Sequence, residues 1–272
     1  MLSINPFAVV GTSLPDGFLQ GFLVVMAVAV VAGTLFDIIH KGSARYFFDN
    51  MTKARAKGRE VGGGELVSIA VQTAVVDVLA SGEFCNQKRR IAHLLGMYGF
   101  ILYILATAVM VFAYPATTAA GVWPVVWWIG AAMVLVGGYW FWFFIRVDVA
   151  AEGRSPLRIV RADLFVLSLL ASVTLGVIWA WLGARNGVLF WLYLLATAVL
   201  FFGVPWSKFA HMFFKPAAAF DKRVSRANGT AENLPLQTRD DPEQQKRHSM
   251  ELLQNAPMDM GLGIKREAPR HY

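Results

Sequence analysis

Three histidines, His40, His93 and His211, stand beside long apolar segments of this chain, where ionisable side chains are rare and usually functional. His93 lies in the string KRRIAHLLGMYGF (88–100), and His211 lies in WSKFAHMFFKP (206–216). Two imidazoles from separate helices that meet at one depth in a bundle can supply both axial ligands of a b-type haem iron. Either histidine alone is better explained as an interfacial side chain with a wet polar tip. The pair at matched depth predicts a haem site formed by His93 and His211.

Small and basic residues around these histidines suit a haem or a quinone. Gly96 and Gly99 lie about one and nearly two helical turns from His93, which predicts space for a flat macrocycle against the backbone. Five basic residues are predicted to bind haem propionates or to stabilise negative charge on a quinone oxygen: Lys88, Arg89, Arg90, Lys208 and Lys215. His40 is open to three interpretations: a further ligand, a proton-handling group at a quinone site, or a residue that stabilises a helix C-terminus.

The elements that must position these residues are five long apolar runs. They cover residues 18–39, 92–114, 122–145, 159–182 and 188–206. At roughly 1.5 Å per helical residue, each run can cross a hydrocarbon layer of roughly 30 Å. Hydrophobic residues make up 56% of the 272 residues, and the mean hydropathy is +0.50. The sequence therefore predicts an all-α integral membrane protein, built as a five-transmembrane-helix bundle.

Composition divides the chain into three parts. Residues 1–17 are predicted to be an outer N-terminal segment, residues 18–214 the membrane domain, and residues 215–272 a polar tail that docks a partner or stays disordered. The first run is expected to remain as a span, because no small-residue cleavage site follows it. In the loop 40–91, residues from about 65 to 80 have apolar side chains at helical spacing. This helix is predicted to lie in the membrane interface, to dock a soluble subunit, or to do both.

Basic residues are concentrated on one side of the predicted bundle. The loop 40–91, the third-to-fourth connection and the start of the tail are rich in Lys and Arg, whereas residues 1–17 and 115–121 contain none. The positive-inside rule then predicts the N-terminus outside and the C-terminus in the cytoplasm, in a bacterial cytoplasmic membrane. Anionic lipid headgroups account for the net charge of +7, so no nucleic-acid partner is expected. The single cysteine, Cys85, cannot hold an iron–sulfur cluster alone, so such chemistry is expected in a partner.

Five spans with histidines on the second and fifth resemble the gamma subunits of respiratory nitrate reductases and the membrane domains of quinone-interacting redox complexes. Two strings carry the resemblance, K-R-R-x-x-H-x-x-x-x-Y-G-F (88–100) and S-K-x-x-H-x-x-x-K-P (207–216), and it covers about residues 15–220. The strings are most similar to the sulfur-metabolism branch, in particular to the membrane anchors of dissimilatory adenylylsulfate reductases. Nitrate reductase gamma subunits hold two haems, whereas this chain has Tyr103 and Tyr193 in the regions that would hold the outer pair of ligands. The resemblance thus implies at most one bis-histidine haem b, on the cytoplasmic side.

The resemblance implies a membrane anchor and electron-transfer subunit that makes no covalent bonds itself. Its partners would be the alpha and beta subunits of a cytoplasmic flavin and iron–sulfur enzyme, which oxidises sulfite with AMP to adenylylsulfate. Electrons would reach the membrane quinone pool through the haem or directly. Two alternatives stay open. One is a haem-free anchor for the same kind of enzyme, and the other is a transporter or channel, although the runs contain no paired charges at mid-membrane.

Overall fold

The computed structural model of the chain describes residues 2–41, 58–82, 87–147, 155–206 and 211–230, together with residues 49, 52 and 84. For residues 41, 162, 206 and 211–214 it describes the backbone alone. Every regular element within these ranges is helical, and none of the described residues is in a strand. The prediction of an all-α protein is confirmed for this part of the chain.

The described helices follow one another along the chain as eight elements. They are α1 (Pro6–Gly11), α2 (Phe18–Lys41), α3 (Gly63–Gln72), α4 (Gln87–Phe112), α5 (Trp123–Trp140), α6 (Leu164–Trp181), α7 (Val188–Phe202) and α8 (His211–Ala227). Two of them continue as π-helical turns, α3 through Thr73–Leu79 and α5 through Phe141–Ile145. Short 3-10 turns precede α6 and follow α7, at Arg161–Asp163 and Val204–Trp206.

Four of these helices, α2, α4, α5 with its π-helical turn, and α6, are long and apolar enough to cross a membrane. Each coincides closely with one of the first four apolar runs of the sequence. The chain is therefore a multi-pass membrane protein. The fifth run forms the shorter helix α7, which has 15 residues.

The end of α7 differs from the prediction. The helix stops at Phe202 with Gly203 as its C-cap, and Val204–Trp206 forms a separate 3-10 turn. Pro205 explains the stop, because proline has no N–H to donate and disfavours a helical residue before it. His211 consequently opens α8, a separate amphipathic helix, and is not part of the fifth apolar helix. Helix α8 continues to Ala227, so the first part of the predicted polar tail is helical.

The short helix α1 was not predicted, and Asn5 fixes it to the bundle. The Asn5 side chain is fully buried. Its Oδ1 accepts from the backbone N–H groups of Phe7 and Ala8, which caps the helix. Its Nδ2 donates to the carbonyls of Tyr114 at 2.9 Å and Thr117 at 3.2 Å. The N-terminal segment is therefore tied to the far end of α4 and the loop after it.

Helices α4 and α5 form the closest pair of the bundle because glycines let their backbones meet. A Cβ at Gly130 would stand 2.6 Å from the backbone nitrogen of Tyr103 and 2.8 Å from the carbonyl oxygen of Gly99. A Cβ at Gly137 would stand 2.7 Å from the carbonyl oxygen of Ala92. Small residues at a helix–helix contact allow this approach in membrane proteins, where packing replaces the hydrophobic effect.

A buried ion pair joins the basic ends of α5 and α6. Arg146 is fully buried, and its Nη2 donates to Oδ2 of Asp163 and, at 2.8 Å, to the carbonyl of Arg158. The same carboxylate oxygen accepts from the backbone N–H of Val160 at 2.8 Å. The guanidinium carbon also lies 4.0 Å from the centre of the Trp142 ring. The ion pair between Arg146 and Asp163 thus holds the two ends of the connection between α5 and α6 together.

Helix α8 packs along α3 and its π-helical turn at the same basic end of the bundle. Arg223 of α8 donates to both carboxylate oxygens of Asp77, with Nε–Oδ2 at 2.6 Å and Nη2–Oδ1 at 3.0 Å. Its Nη1 donates to Oε1 of Gln72 at 3.2 Å. A bidentate arginine–carboxylate pair fixes orientation as well as contact, so the two helices form one defined unit.

Candidate functional site

His93 lies in the second turn of α4, at the basic end of the bundle, with an exposed side chain. Its Nδ1 is 3.0 Å from Oγ of Ser81, and its ring centroid is 4.8 Å from that of Phe84. In the tautomer in which Nδ1 donates to Ser81, Nε2 carries the lone pair that a metal ligand requires. Ligand histidines in proteins are commonly oriented in this way by a partner on the other ring nitrogen.

The connection that carries Ser81 is itself fixed to α4. Nε of Arg90 donates to the carbonyl of Ala80 at 2.8 Å, and the hydroxyl of Tyr98 donates to the carbonyl of Leu79 at 2.7 Å. Ser81 has a φ of 50°, a left-handed conformation that few non-glycine residues adopt. Arg90, which the sequence offered as a propionate ligand, therefore has a structural bond in this cluster. Ser81 was missed by sequence reasoning, because no local pattern marks it.

Helix α8 reaches the same cluster through Lys215. Nζ of Lys215 lies 5.4 Å from the centre of the Phe84 ring, which in turn packs on His93. His211 precedes Lys215 by one helical turn on α8. The side chain of His211 and the whole of Lys208 lie outside the described residues. What the described residues establish is that Lys215 of α8 and His93 of α4 both lie beside Phe84.

The two glycines near His93 differ in their surroundings. No atom of the described residues lies within 4 Å of the place where a Cβ at Gly96 would stand. A Cβ at Gly99 would instead stand 2.7 Å from Cβ of Met133 and 2.8 Å from the carbonyl oxygen of Gly130. The expectation that Gly99 leaves room for a macrocycle is wrong, because the α4–α5 contact fills that space. Gly96 remains compatible with a flat group beside His93.

The other predicted residues lie around this cluster or apart from it. His40 stands near the end of α2, where its ring stacks on Phe36 with centroids 5.1 Å apart. No contact between His40 and the His93 cluster occurs among the described residues. Lys88 and Arg89 occupy the first turn of α4, and Lys88 is exposed. Their cationic groups lie close enough in sequence to His93 to balance carboxylates at this end of the bundle.

These residues fit a haem b in their donor chemistry. His93 offers an imidazole whose orientation is set through Nδ1, Gly96 has no described neighbour where a Cβ would stand, and cationic residues accompany both helices. His93 and His211 would be the ligands, and Lys88, Arg89 and Lys215 would balance the propionates. The structure describes the imidazole of His93 and the backbone of His211, at the start of α8.

A second feature, farther along α4, is a partly open cavity of about 240 Å³ lined by residues of α1, α2, α4, α6 and α7. Tyr103 and Tyr193 contribute to its wall, and their hydroxyl oxygens are 3.3 Å apart. The sequence placed these two tyrosines opposite each other in the second and fifth runs, and the structure confirms that pairing. The cavity itself was not predicted, because a void between helices leaves no trace in the sequence.

No family model matches this chain, and no curated protein and no solved structure matches it either. The resemblance drawn from the two histidine strings therefore rests on the residues of this chain alone. Of those residues, the structure describes His93 and Lys215 in one cluster and the backbone of His211 at the start of α8.

Proposed function

We propose that this chain is the membrane subunit of a redox complex, which anchors a cytoplasmic flavin and iron–sulfur enzyme and passes its electrons to the quinone pool. One observation carries the proposal: Lys215 of α8 lies against Phe84, and Phe84 lies against a His93 whose Nδ1 is bound to Ser81. One residue of each of the two strings that the sequence singles out, His93 and Lys215, thus lies beside Phe84, and this supports the proposal.

The proposed topology has five spans, with the N-terminus outside and the C-terminus in the cytoplasm. Helix α7 and its 3-10 turn together cover Val188–Trp206, which is close to the length that a bilayer core requires. The end of the bundle that carries Arg90, Arg146 and α8 is rich in cations, whereas Arg185 is the only Lys or Arg in the connections of the other end. That asymmetry supports a cytoplasmic location for the cluster around His93.

We propose that α3 lies in the cytoplasmic interface of the membrane. Its side toward α8 buries Ile69 and Thr73, whereas Val67, Val71 and Val75 are 64%, 56% and 52% exposed. These three valines follow one another at the helical repeat of four residues and form one apolar stripe. An amphipathic helix beside the ends of spans buries such a stripe at the boundary of headgroups and acyl chains. The paired helix α8 is then the surface left for a soluble partner.

At the proposed haem site the residues of the chain have distinct tasks. Ser81 orients the His93 ring through its bond to Nδ1, and the bonds from Arg90 and Tyr98 hold the connection that carries Ser81. Lys88, Arg89 and Lys215 balance negative charge at the inner membrane surface, on propionates or on a quinone oxygen. A bound haem b supplies a one-electron carrier between the partner enzyme and a quinone.

The partner that we propose is a cytoplasmic enzyme of sulfur metabolism, the alpha and beta subunits of adenylylsulfate reductase. The support is the similarity of the two histidine strings to that branch, together with a single cysteine that leaves iron–sulfur chemistry to another chain. Affinity purification of the full chain from its native membranes should recover both subunits. Recovery of an unrelated enzyme or of none would overturn this part of the proposal.

The haem is tested by a pyridine haemochrome assay on the purified full chain and on three variants. His93→Ala and His211→Ala should each abolish the b-type spectrum, because each removes one axial ligand. His271→Ala, which lies in the polar tail, serves as the matched control and should keep it. A wild-type protein without a haemochrome spectrum would overturn electron transfer through haem. In that case the recovery of a partner decides whether the chain is a haem-free anchor.

A further inference from the structure

The cavity between α2, α4 and α7 has a wall that is almost entirely apolar, with few polar side chains. Phe22, Met26, Phe100, Ile104 and Leu200 are among the apolar residues that line it. The polar ones are Tyr103, Thr107, Ser172, Tyr193 and Thr197. A largely apolar cavity with a few converging polar groups is the usual form of a site for a small amphiphilic ligand.

Most hydroxyl protons around the cavity have an acceptor. The hydroxyl of Thr107 donates to the carbonyl of Tyr103, and that of Thr197 donates to the carbonyl of Tyr193. Ser172 Oγ and Thr197 Oγ1 are 2.7 Å apart, so the proton of Ser172 is placed as well. These three residues therefore have no need of a ligand.

The two tyrosines are different. They share one hydrogen bond, between oxygens 3.3 Å apart, and two hydroxyls that share one bond leave one proton over. Tyr103 donates to Tyr193, and the proton of Tyr193 has no acceptor among the described residues. Burial of a donor without an acceptor is unfavourable. An acceptor supplied by a ligand in the cavity removes this cost.

The cavity is partly open, and the open side lies between α2 and α4. Ala27 of α2 and Phe112 of α4 line it and are also exposed on the surface of the bundle. Around them the surface is apolar, with Val24 and Leu105 about half exposed. A molecule that enters here comes from the hydrocarbon region of the bilayer.

We infer that this cavity binds a membrane lipid whose carbonyl accepts the spare hydroxyl proton of the Tyr103–Tyr193 pair while its apolar chain leaves between α2 and α4. Two membrane components have this chemistry, a lipid quinone and the ester of a glycerophospholipid. The site differs from the cluster around His93 and does not depend on haem being bound there.

Quenching of tryptophan fluorescence measures the binding directly. The Trp127 ring stacks on Tyr103 with centroids 5.0 Å apart, and the Trp179 ring stacks on Tyr193 with centroids 5.6 Å apart. The full chain in detergent is titrated with decylubiquinone in one arm and with dibrominated phosphatidylglycerol in the other, since both quench tryptophan at short range. Saturable quenching by either probe supports the site. The probe that saturates shows whether the ligand is a quinone or a glycerophospholipid.

Two variant pairs decide whether the binding occurs in this cavity. Ala27→Phe with Ala108→Phe fills it from both helices and should abolish saturable quenching, whereas Val28→Phe with Leu105→Phe changes neighbours that do not line it and should have no effect. Tyr103→Phe with Tyr193→Phe should weaken binding about two- to tenfold, as expected for one neutral hydrogen bond.

Saturation of wild type by neither probe, or equal binding by wild type and by Ala27→Phe with Ala108→Phe, would overturn the inference. The haemochrome spectrum of the variants separates this outcome from the proposed function. It should be unchanged in all of them, because the cavity residues of α4 begin at Phe100, beyond the turn that carries His93.

Discussion

At the scale of single residues, Ser81 decides how His93 is presented. Its hydroxyl is 3.0 Å from Nδ1, and its backbone has a φ of 50°. Both properties can be changed separately, because glycine favours this backbone conformation but has no hydroxyl, whereas asparagine tolerates it and keeps an acceptor.

We expect Ser81→Gly to lower haem affinity by about 10–100-fold, the usual effect of removing a partner that orients a metal-bound histidine. Ser81→Asn should restore most of the affinity. The measurements are haem content after dialysis and the midpoint potential of the remaining haem. Equal haem content and potential in wild type and Ser81→Gly would contradict a positioning role for Ser81.

Asp163 is a second residue whose substitution has a predictable effect, in this case on the free energy of unfolding. It neutralises Arg146, which is fully buried and whose Nε and Nη1 have no hydrogen-bond partner within the described part of the chain. Asp163→Ala should lower the free energy of unfolding by about 3–5 kcal/mol, because it leaves a buried charge without its counter-ion. Unfolding in a titration with sodium dodecyl sulfate measures the change.

The control for Asp163 is a double replacement. Arg146→Met with Asp163→Leu removes both charges and should be more stable than Asp163→Ala alone. Asp16→Ala, an exposed carboxylate near the start of α2, should change stability little. If the double variant were the least stable of the three, the buried ion pair would have a role beyond charge neutralisation.

At the scale of elements, the contact between α4 and α5 depends on glycine. A single methyl group at Gly130 would overlap the backbone of Tyr103 and Gly99 on the facing helix. We expect Gly130→Ala to lower the free energy of unfolding by about 1–3 kcal/mol, the usual cost of overpacking. The same detergent titration measures it.

Gly21→Ala on α2 provides the matched control for Gly130, because a Cβ there meets no described atom within 4 Å. It should be neutral or slightly stabilising, since alanine has the higher helix propensity. Equal destabilisation by the two substitutions would show that helix propensity, and not the α4–α5 contact, governs both.

At the scale of the whole molecule, the proposed topology places the two ends of the chain on opposite sides of the membrane. In a Cys85→Ser background, Asp16→Cys and Lys222→Cys each introduce one thiol at an exposed position. A membrane-impermeant maleimide should label residue 16 in intact spheroplasts and residue 222 only after lysis. Labelling of both in intact spheroplasts would contradict an odd number of spans.

How much of this molecule could be predicted follows from the range of each interaction. The first four apolar helices were predicted well, because the length of an apolar run and the charges beside it are local properties of the sequence. Helix α1 was not predicted, since Asn5 stabilises it through carbonyls that are about a hundred residues away. Gly203 and Pro205 signal the break after Phe202, but the apolar run continues across both to Trp206 and hides it.

The candidate site was predictable only where its features follow from the positions of residues along the predicted spans. The sequence places Tyr103 and Tyr193 in matching regions of two antiparallel spans, and the structure brings their hydroxyl oxygens within 3.3 Å of each other. The role of Ser81 depends on the turn that carries it against His93, and the filled space at Gly99 depends on the facing helix α5; composition gives no sign of either.

The packing of Phe7 determines when the cavity is covered at the end nearest α1. Phe7 lines the cavity, and its ring packs on Trp127 of α5 and Trp179 of α6, at 6.1 and 5.7 Å between centroids. Both tryptophans are synthesised long after the first span has left the ribosome. During biogenesis the cavity therefore stays uncovered at that end until α6 is inserted, and its α7 wall is added later still, so a lipid can enter while the protein assembles.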